Sequence, residues 1–295
     1  MKDNSSPKLS VVLAARNEEE NLGRSLESVK EIADEIVVVD EHSTDKTVEI
    51  AKEYGAKVFL ESHHDIFHIT KQKALEKATG DWVLQLDADE EVTPALAQEI
   101  KKVIDMSNED IKKRFDLDIH EMYHFRKHQR IIEERDGKIG KNTGEVVAFF
   151  IPRLNMFLGR PLRYGGVYPD GVIRLVKNGK ARFPQKSVHE QIQIDGEISW
   201  LFDDLIHYDS PTMKRYLARF NRYTDLKAKE LNEDKAPKNF WSLFLYTIYK
   251  PLYTFLNIYI RHKGILDGTQ GFLWAFFSAM HFPIAFYKYI TNGNE

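Results

Sequence analysis

The first hundred residues alternate apolar segments with amphipathic ones, and this alternation restricts the fold more than any other feature. Four β-rich runs, apolar enough to be buried on both faces, are predicted as strands at residues 9–14, 35–40, 57–60 and 81–87. Helices are predicted between them at residues 18–28, 43–55 and 70–78. Strands joined by single helices form right-handed βαβ units and a mostly parallel sheet, so an α/β protein is predicted.

Charged and polar residues follow these strands where they end. Asp40 closes the second strand, Asp87 closes the fourth, and Ala15 and Arg16 follow the first. In sheets of this kind, ligands bind at the carboxyl ends of the strands. We therefore expect these residues, at neighbouring strand ends, to surround one pocket. Asn17 is predicted to cap the first helix.

The run LQLDADEEV, at residues 84–92, ends the fourth strand in a cluster of acids. Like charges this close repel, so they are solvated, cap the next helix or face a cation. Asp87 and Asp89 form an Asp-x-Asp pair, which can hold Mg²⁺ or Mn²⁺ through carboxylate oxygens while substrate phosphates and water complete the shell. Alternatively, the acids bind no metal and form a cluster at the N-terminus of the helix that Pro94 opens. Asp40 could bind a nucleoside or serve as a turn residue.

Composition and missing motifs exclude several classes of protein. The net charge is −3, so no basic field attracts nucleic acid, and no nucleic-acid partner is expected. The chain has no cysteine, which excludes disulfides, thiolate metal sites and a cysteine nucleophile. Glycine-rich loops of the dinucleotide-binding and P-loop types are missing from the sequence. The polar N-terminus predicts no signal peptide, so we expect the catalytic part in the cytoplasm.

The remaining two thirds differ in composition from the first. Residues 146–154 and 170–176 are β-like runs that we expect to extend the sheet in a mixed α+β region. Helical spacing predicts a basic helix over 211–231, and aromatic segments follow at 240–260 and 271–290. We expect these segments to lie in a membrane interface or to enter it without crossing. The alternatives are clean membrane spans, a buried helical hairpin or a dimer interface. The predicted divisions are 1–105, 106–210 and 211–295.

Three stretches in combination resemble the N-terminal half of family 2 glycosyltransferases, which have the GT-A fold. They are LSVVLAARNEEENLGRSLESV, EIVVVDEHSTDKTVEIA and GDWVLQLDADEEVTP. The stretches VIRLVKNGKARFPQKSVHEQI and KGILDGTQGF are similar to a bacterial subgroup that includes lipopolysaccharide-core β-1,4-glucosyltransferases. The resemblance implies a Rossmann-like sheet with a mixed acceptor-side extension. The aromatic segments described above are expected to add membrane-associating C-terminal helices.

The resemblance also implies chemistry and roles for single residues. It implies a UDP-sugar donor, a divalent cation (Mn²⁺ or Mg²⁺), inversion at the anomeric carbon and a lipid-linked saccharide acceptor. Many relatives carry Arg-Asn before the helix that precedes the fourth strand, where this chain departs from the pattern with KQKAL; Lys71 and Lys73 keep positive charge there. The residues assigned to the donor are Ala15, Arg16, Glu18, Asp40 and Lys71, with Asp87 at the ribose or the metal and Asp89 on the metal.

An inverting transfer needs a carboxylate that takes the proton of the acceptor hydroxyl. The resemblance places Glu190, in SVHEQI, in that role, and His189 would orient it or bind the diphosphate; Asp170 is the substitute base. Arg174 is a charge inside an apolar strand, and such a residue usually needs a partner, which a phosphate or an acid of the site would supply. An arginine at the sheet edge that extends its charge to solvent is the alternative. His207 could complete a metal site, although a core or interface histidine is the alternative.

The leading hypothesis is a glycosyltransferase, with glucose among the candidate sugars, that acts on a cell-envelope glycolipid or polyprenyl-linked acceptor. It would work at the cytoplasmic face of the inner membrane, as a peripheral or re-entrant protein, and a homo-oligomer stays open. A nucleotidyltransferase on a similar α/β scaffold is one alternative, and it would release pyrophosphate. A non-catalytic sugar- or lipid-binding relative is the other.

Overall fold

The computed structural model describes residues 6–64, 66–114, 119–184 and 192–292. The chain forms two compact units. The first unit comprises Met1–Arg153 and Pro169–His207, and the second comprises Leu154–Tyr168 and Tyr208–Glu295. The three-part division drawn from the sequence stays a prediction.

Twelve strands are found in the described residues. They are β1 (Leu9–Ala15), β2 (Glu35–Asp40), β3 (Lys57–Leu60), β4 (Trp82–Leu86), β5 (Glu90–Val92), β6 (Val146–Phe157), β7 (Arg160–Pro161), β8 (Asp170–Lys177), β9 (Ala181–Arg182), β10 (Gln193–Ile194), β11 (Glu197–Trp200) and β12 (Leu205–Ser210). The main sheet has the order β3-β2-β1-β4-β8-β6-β12-β5, with β11 and β7 also paired to β6.

The α-helices alternate with the strands at first and then dominate the second unit. They are α1 (Leu22–Val29), α2 (Thr47–Glu53), α3 (Phe67–Lys77), α4 (Pro94–Ile104), α5 (Asn108–Arg114), α6 (Ile119–Asp136), α7 (Met213–Glu233), α8 (Phe240–Phe244), α9 (Lys250–Leu256) and α10 (Gly268–Asn292). Two π-helical turns, Leu245–Tyr249 and Asn257–Arg261, follow α8 and α9, and a 3₁₀ turn covers Gly264–Asp267.

The sheet is parallel in its first half and mixed in its second. Strands β3, β2, β1 and β4 run parallel, whereas β8 pairs antiparallel with both β4 and β6. The predicted α/β class and the mixed extension are therefore confirmed. The sequence suggested that Asp40 and Asp87 end adjacent strands, but they do not. Strand β1 lies between β2 and β4, and Ala15 of β1 pairs with Asp40.

Helix α1 begins later than predicted. It starts at Leu22 rather than at residue 18, and Asn17 does not cap it. Asn17 instead takes a left-handed backbone conformation (φ 53°), which asparagine tolerates better than most residues. The opening of α4 at Pro94 is confirmed, and the Thr93 side chain caps it by accepting a hydrogen bond from the Leu96 amide.

Buried apolar side chains fill both faces of the sheet in the first unit. Every residue of β1 is buried, as expected for a central parallel strand. Trp200 is fully buried and stacks on Phe125 and Phe150, with ring centroids 4.6 Å away in each case. A Cβ at Gly171 would overlap the indole of Trp200, so the ring requires glycine at this position of β8.

Glu35 joins the amino-terminal ends of the parallel strands. Its carboxylate accepts hydrogen bonds from Ser10 Oγ (2.6 Å), Lys57 Nζ (2.6 Å) and the Thr79 amide (2.8 Å). Burial by itself would raise the pKa of Glu35, but these hydrogen bonds outweigh it and lower the pKa to about 2. The ionised carboxylate is therefore part of the folded structure.

The second unit packs α7 against the continuous helix α10. Ala228 and Leu231 of α7 share a core with Phe286 and Tyr289 of α10. Lys288, which breaks the apolar pattern of the last aromatic segment, has four acceptors within hydrogen-bonding distance of its three N–H donors. The acceptors are Asn221 O (3.1 Å), Asn221 Oδ1 (2.7 Å), Thr224 Oγ1 (2.8 Å) and Asp225 Oδ1 (2.7 Å). Within the described ranges, no helix combines the length and the apolar character needed to cross a bilayer.

Candidate active site

Two loops at the carboxyl edge of the sheet are hydrogen-bonded to each other. The Asn17 amide donates to Ser43 Oγ at 2.8 Å, and Asn17 Oδ1 accepts from the Thr44 amide at 2.8 Å. Ser43 in turn donates from its amide and its hydroxyl to the two oxygens of Asp40, at 2.8 and 2.5 Å. Asp40 is fully buried. The structure thus gives Asp40 the turn role that the sequence left open, and a nucleoside contact stays a prediction.

A second polar chain crosses the same edge from β1 to α3. The exposed guanidinium of Arg16 lies within 2.9 Å of the His63 ring nitrogens. His63 Nδ1 lies 2.7 Å from the buried carboxylate of Glu41, which also accepts a hydrogen bond from Thr70. These contacts hold the Arg16 cation at the carboxyl end of β1, next to the loop that follows β2.

A partly buried group of ion pairs lies at the carboxyl end of β4. Asp87 Oδ1 is 2.5 Å from Lys71 Nζ, on α3, and Asp87 Oδ2 accepts a 2.5 Å hydrogen bond from Arg174 on β8. Arg174 also donates to Gln85 at 2.6 Å. The antiparallel register of β8 on β4, which sets Leu84 opposite Leu175, brings Arg174 beside these acceptors. Of the readings left open for Arg174, the structure shows contact with acids, and a contact with a donor phosphate stays a prediction.

The ion pairs continue from β8 to β6. Glu90, which is fully buried, accepts from Arg174 at 2.7 Å and lies 3.4 Å from Arg153. Arg153 donates to Asp170 Oδ2 through Nη2 (2.7 Å) and Nε (3.0 Å). We call the alternating series Lys71, Asp87, Arg174, Glu90, Arg153 and Asp170 the ion-pair ladder. It explains why β4 can end in acids, since two of them face cations inside the fold.

The ladder fixes the charge of its central pair, Asp87 and Arg174. Burial by itself would raise the pKa of Asp87, but Arg174 and Lys71 outweigh it and hold that pKa well below its usual range. Burial by itself would lower the pKa of Arg174, and the carboxylates of Asp87 and Glu90 outweigh it and raise that pKa. Asp87 and Arg174 therefore stay ionised together at neutral pH.

Asp89 lies outside the ladder and faces a histidine. Its Oδ2 is 3.6 Å from His207 Nε2, and the pairing of β12 with β5 places His207 opposite Glu90. Across the part of the chain that the structure describes, no three His, Asp or Glu residues are grouped to hold a metal ion. A hard cation bound with a diphosphate needs only one or two protein ligands. Asp89 and His207 fit that need, whereas both oxygens of Asp87 are engaged by cations.

The other assigned residues are distributed as follows. Ala15 is fully buried in β1 and its carbonyl accepts a 3.0 Å hydrogen bond from the Glu41 amide, so its contact with a nucleotide stays a prediction. Glu18 accepts a 2.9 Å hydrogen bond from Asn21, which is the N-cap residue of α1. Glu190 and His189 lie outside the described residues, so their predicted roles are not tested.

Sequence reasoning missed three residues of this edge. Glu90 belongs to the acid cluster but was not distinguished from its neighbours. Arg153 is a charge inside an apolar strand, the same signal that marked Arg174. Glu41 follows Asp40 directly and is almost completely buried. The pattern of a charge within an apolar run could have found Arg153, whereas nothing local singles out Glu90.

Comparison with known proteins identifies the family. The model of the family described as Glycosyl transferase family 2 matches residues 10–164, which is more than half of the 295-residue chain. The chain belongs to glycosyl transferase family 2. The match contains all of β1 except its first residue and the whole of β2 to β7. It therefore includes the acids at the ends of β2 and β4, and Lys71 on α3. This protein is accordingly a glycosyltransferase.

Curated relatives of this glycosyltransferase match nearly its whole length. An uncharacterised glycosyltransferase of Rickettsia typhi is 27% identical over 267 residues, covering 90% of this chain and 81% of the relative. The lipopolysaccharide core biosynthesis glycosyltransferase LpsC of Rhizobium meliloti is 25% identical over 284 residues, covering 92% and 90%. The similarity to a lipopolysaccharide-core subgroup is thus confirmed.

Solved structures are matched more weakly. Glucosyl-3-phosphoglycerate synthase of Mycobacterium tuberculosis, in a complex with Mn²⁺, UDP and glucosyl-3-phosphoglycerate, is 28% identical over 28% of this chain, with a TM-score of 0.26. The chain spans about a third of that synthase, 34%. TarS of S. aureus is 16% identical over 89% of this chain and 46% of its own, with a TM-score of 0.39. TM-scores this low carry no argument about the fold.

Proposed function

We propose that this glycosyltransferase has the GT-A arrangement and is an inverting, metal-dependent enzyme. It would move a sugar from a UDP-sugar to a cell-envelope glycolipid or polyprenyl-linked acceptor, at the cytoplasmic face of the inner membrane. Family membership and the similarity to LpsC support this proposal. The observation that carries it is the pair Asp89 and His207 beside the ion-pair ladder, at the carboxyl edge of the sheet. Glucose is the first sugar to test.

The donor is proposed to lie over the ends of β1, β2 and β4. Backbone groups at Ala15 and the side chains of Arg16 and Glu18 would contact the nucleotide, and Asp40 would contact it or shape the turn beneath it. The hydrogen bonds between the two loops support this arrangement, because they keep the pocket floor rigid before the donor arrives. Lys71 would exchange part of its contact with Asp87 for the donor diphosphate.

The chemical step is proposed to be a single displacement. The acceptor oxygen forms a bond to the anomeric carbon while the bond from that carbon to the diphosphate oxygen breaks. UDP leaves with the electron pair, and the acceptor proton passes to the carboxylate of Glu190. A divalent cation, when bound, would neutralise the charge that grows on the departing diphosphate. Asp89 and His207 would hold it, and the charged ladder would keep Asp87 ionised beside the ribose or the metal's waters.

A panel of nucleotide sugars, with Mn²⁺ or Mg²⁺ and with or without a crude lipid acceptor extract, tests the proposal by the release of nucleoside diphosphate. We expect UDP from one UDP-sugar, increased by the extract and abolished by a chelator. Asp89→Asn should lower turnover roughly a hundredfold or more and raise the metal concentration needed. Glu190→Gln should lower kcat by about 10²–10⁴.

Asp110→Asn is the matched control, since Asp110 is an exposed aspartate of α5 far from these residues in sequence. Its turnover and metal requirement should equal those of the wild type. Release of pyrophosphate would instead show nucleotidyl transfer. Binding of sugars with no release of UDP from any donor would show a non-catalytic relative, and either result refutes the proposal.

A further inference from the structure

An exposed apolar surface runs along the helical segment that joins α7 to α10. We call it the aromatic strip. Its side chains are exposed over 36–74% of their surface, which is unusual for large apolar residues. They are Trp241, Leu245, Ile248, Tyr249, Leu252, Tyr253, Leu256 and Ile260.

The strip stays on one side of the segment because of its helical geometry. Its residues form two rows with a spacing of four, one from Trp241 to Tyr253 and one from Ile248 to Ile260. In a regular α-helix, with about 3.6 residues per turn, such rows drift around the axis. The two π-helical turns take up extra residues and compensate for this drift. The sequence spacing and the π-helical turns therefore produce one continuous apolar face.

The opposite face of the segment forms the core of the second unit. Tyr246 stacks on Phe286 of α10 with ring centroids 4.9 Å apart, and Tyr259 meets Phe272 edge-on at 5.8 Å. Pro251 is buried. The segment thus has one face packed on its own unit and a second apolar face that this packing leaves exposed.

The charges of the segment are all positive. No acid lies between Asp234 and Asp267, although the whole chain carries a net charge of −3. Arg261 and Lys263, at the end of the strip, are exposed. Five cations against no acid give a local charge of +5. The cations are Lys235, Lys238, Lys250, Arg261 and Lys263.

We propose that the aromatic strip docks on a membrane surface that carries anionic lipid, with the helix axis in the plane of the membrane. Tyrosine and tryptophan suit the headgroup level, and cations around an apolar face attract anionic headgroups. A second copy fits less well, because a two-fold contact between identical strips would bring cations against cations. The inference names the surface that would hold the enzyme at the membrane, as the proposed function requires, but it does not depend on the proposed catalytic chemistry.

Vesicle co-sedimentation of the full chain tests the inference without any activity readout. We expect strong binding to vesicles in which about a third of the lipid is phosphatidylglycerol, weak binding to pure phosphatidylcholine, and loss of binding at high salt. Binding should shift Trp241 emission to the blue, because its indole moves out of water. Leu252→Glu should weaken binding about tenfold or more. Replacing Arg261 and Lys263 by Gln should weaken it about tenfold or more.

Leu60→Glu is the matched control, because Leu60 is as exposed as Leu252, at 57%, but lies on β3 of the first unit. It should bind vesicles like the wild type. Equal binding of Leu252→Glu and the wild type would overturn the inference. The inference would also be overturned if the wild type did not bind vesicles and formed a dimer that Leu252→Glu dissociates. A protein that binds vesicles but transfers no sugar would refute only the proposed function.

Discussion

Replacing Arg174 by Met removes the central cation of the ion-pair ladder while it keeps an unbranched side chain of similar length. Arg174 is only 7% exposed and donates to Gln85, Asp87 and Glu90 at 2.5–2.7 Å. Without it, Asp87 keeps Lys71. The fully buried Glu90 keeps a 3.0 Å hydrogen bond from the Asp87 amide, but its remaining ion pair, with Arg153, is 3.4 Å long. The variant therefore leaves a buried carboxylate with one long ion pair.

Breaking a buried ion pair from one side costs about 3–5 kcal/mol of unfolding free energy. We expect the first unit of Arg174→Met to lose an amount in this range, which lowers its urea midpoint by roughly 1–3 M. Arg174→Lys keeps the charge but loses the planar guanidinium with its several N–H donors. It should therefore lose less unfolding free energy than Arg174→Met. Since Asp87 is ionised in the fold because of these cations, its contribution is present above its unfolded pKa and is lost as the pH falls below that value.

Urea unfolding followed by tryptophan fluorescence measures this loss. Trp82 and Trp200 are buried in the first unit, so a background in which Trp241 and Trp274 are replaced by Phe reports that unit alone. Arg130→Met is the matched control, because Arg130 is exposed on α6 and its ion pair with Glu134 is 4.0 Å long. It should change the unfolding free energy by less than about 0.5 kcal/mol.

The double variant Arg174→Met with Glu90→Gln provides the decisive comparison. If the cost arises from an uncompensated buried carboxylate, neutralising Glu90 should recover part of it. A wild-type midpoint for Arg174→Met, or purely additive losses in the double variant, would refute the reasoning. The ladder would then be a set of contacts with no net effect on stability.

Three further predictions test the fold. Gly171→Ala should lower the unfolding free energy measured in urea by about 1–3 kcal/mol, because the new Cβ would overlap the buried ring of Trp200. Gly23→Ala should raise it by about 0.5–1 kcal/mol, because the new Cβ on α1 has ordinary space. Glu35→Gln should cost about 1–3 kcal/mol at neutral pH. Folding lowers the pKa of Glu35 from 4.5 to about 2. The difference in unfolding free energy between the wild type and Glu35→Gln should therefore shrink as the pH falls from 4.5 to 2. Lys288→Met should lower the melting temperature of the second unit, because the ammonium group that lies near four acceptors is removed, and an unchanged melting curve would contradict this.

The sequence predicted the early strands and helices well because their signals are local. The third strand was predicted with its observed bounds, and the first differs by one residue. The start of α1 was wrong because the Asn17 loop is held by the β2–α2 loop, including Ser43, 26 residues along the chain. A cap signal considers only nearby residues, so it could not weigh that contact.

The candidate site was predictable in part for the same reason. Acids at strand ends follow from the run LQLDADEEV, and the partner that Arg174 needs follows from its apolar strand. Which acids it meets depends on the pairing of β8 with β4, across 87 residues for Asp87. Asp89 meets His207 only because β12 pairs with β5.

The sequence alone determined the α/β class, the acids at the carboxyl ends of the strands and the separate aromatic C-terminal part. Periodicity, turn residues and composition carry that information over a few residues at a time. Tertiary structure alone decided that Asp87 lies between two cations, that Asp89 faces a histidine and that one side of the aromatic segment stays exposed. Those outcomes depend on strand register and helix packing, which bring together charges and apolar surfaces that are far apart in the chain.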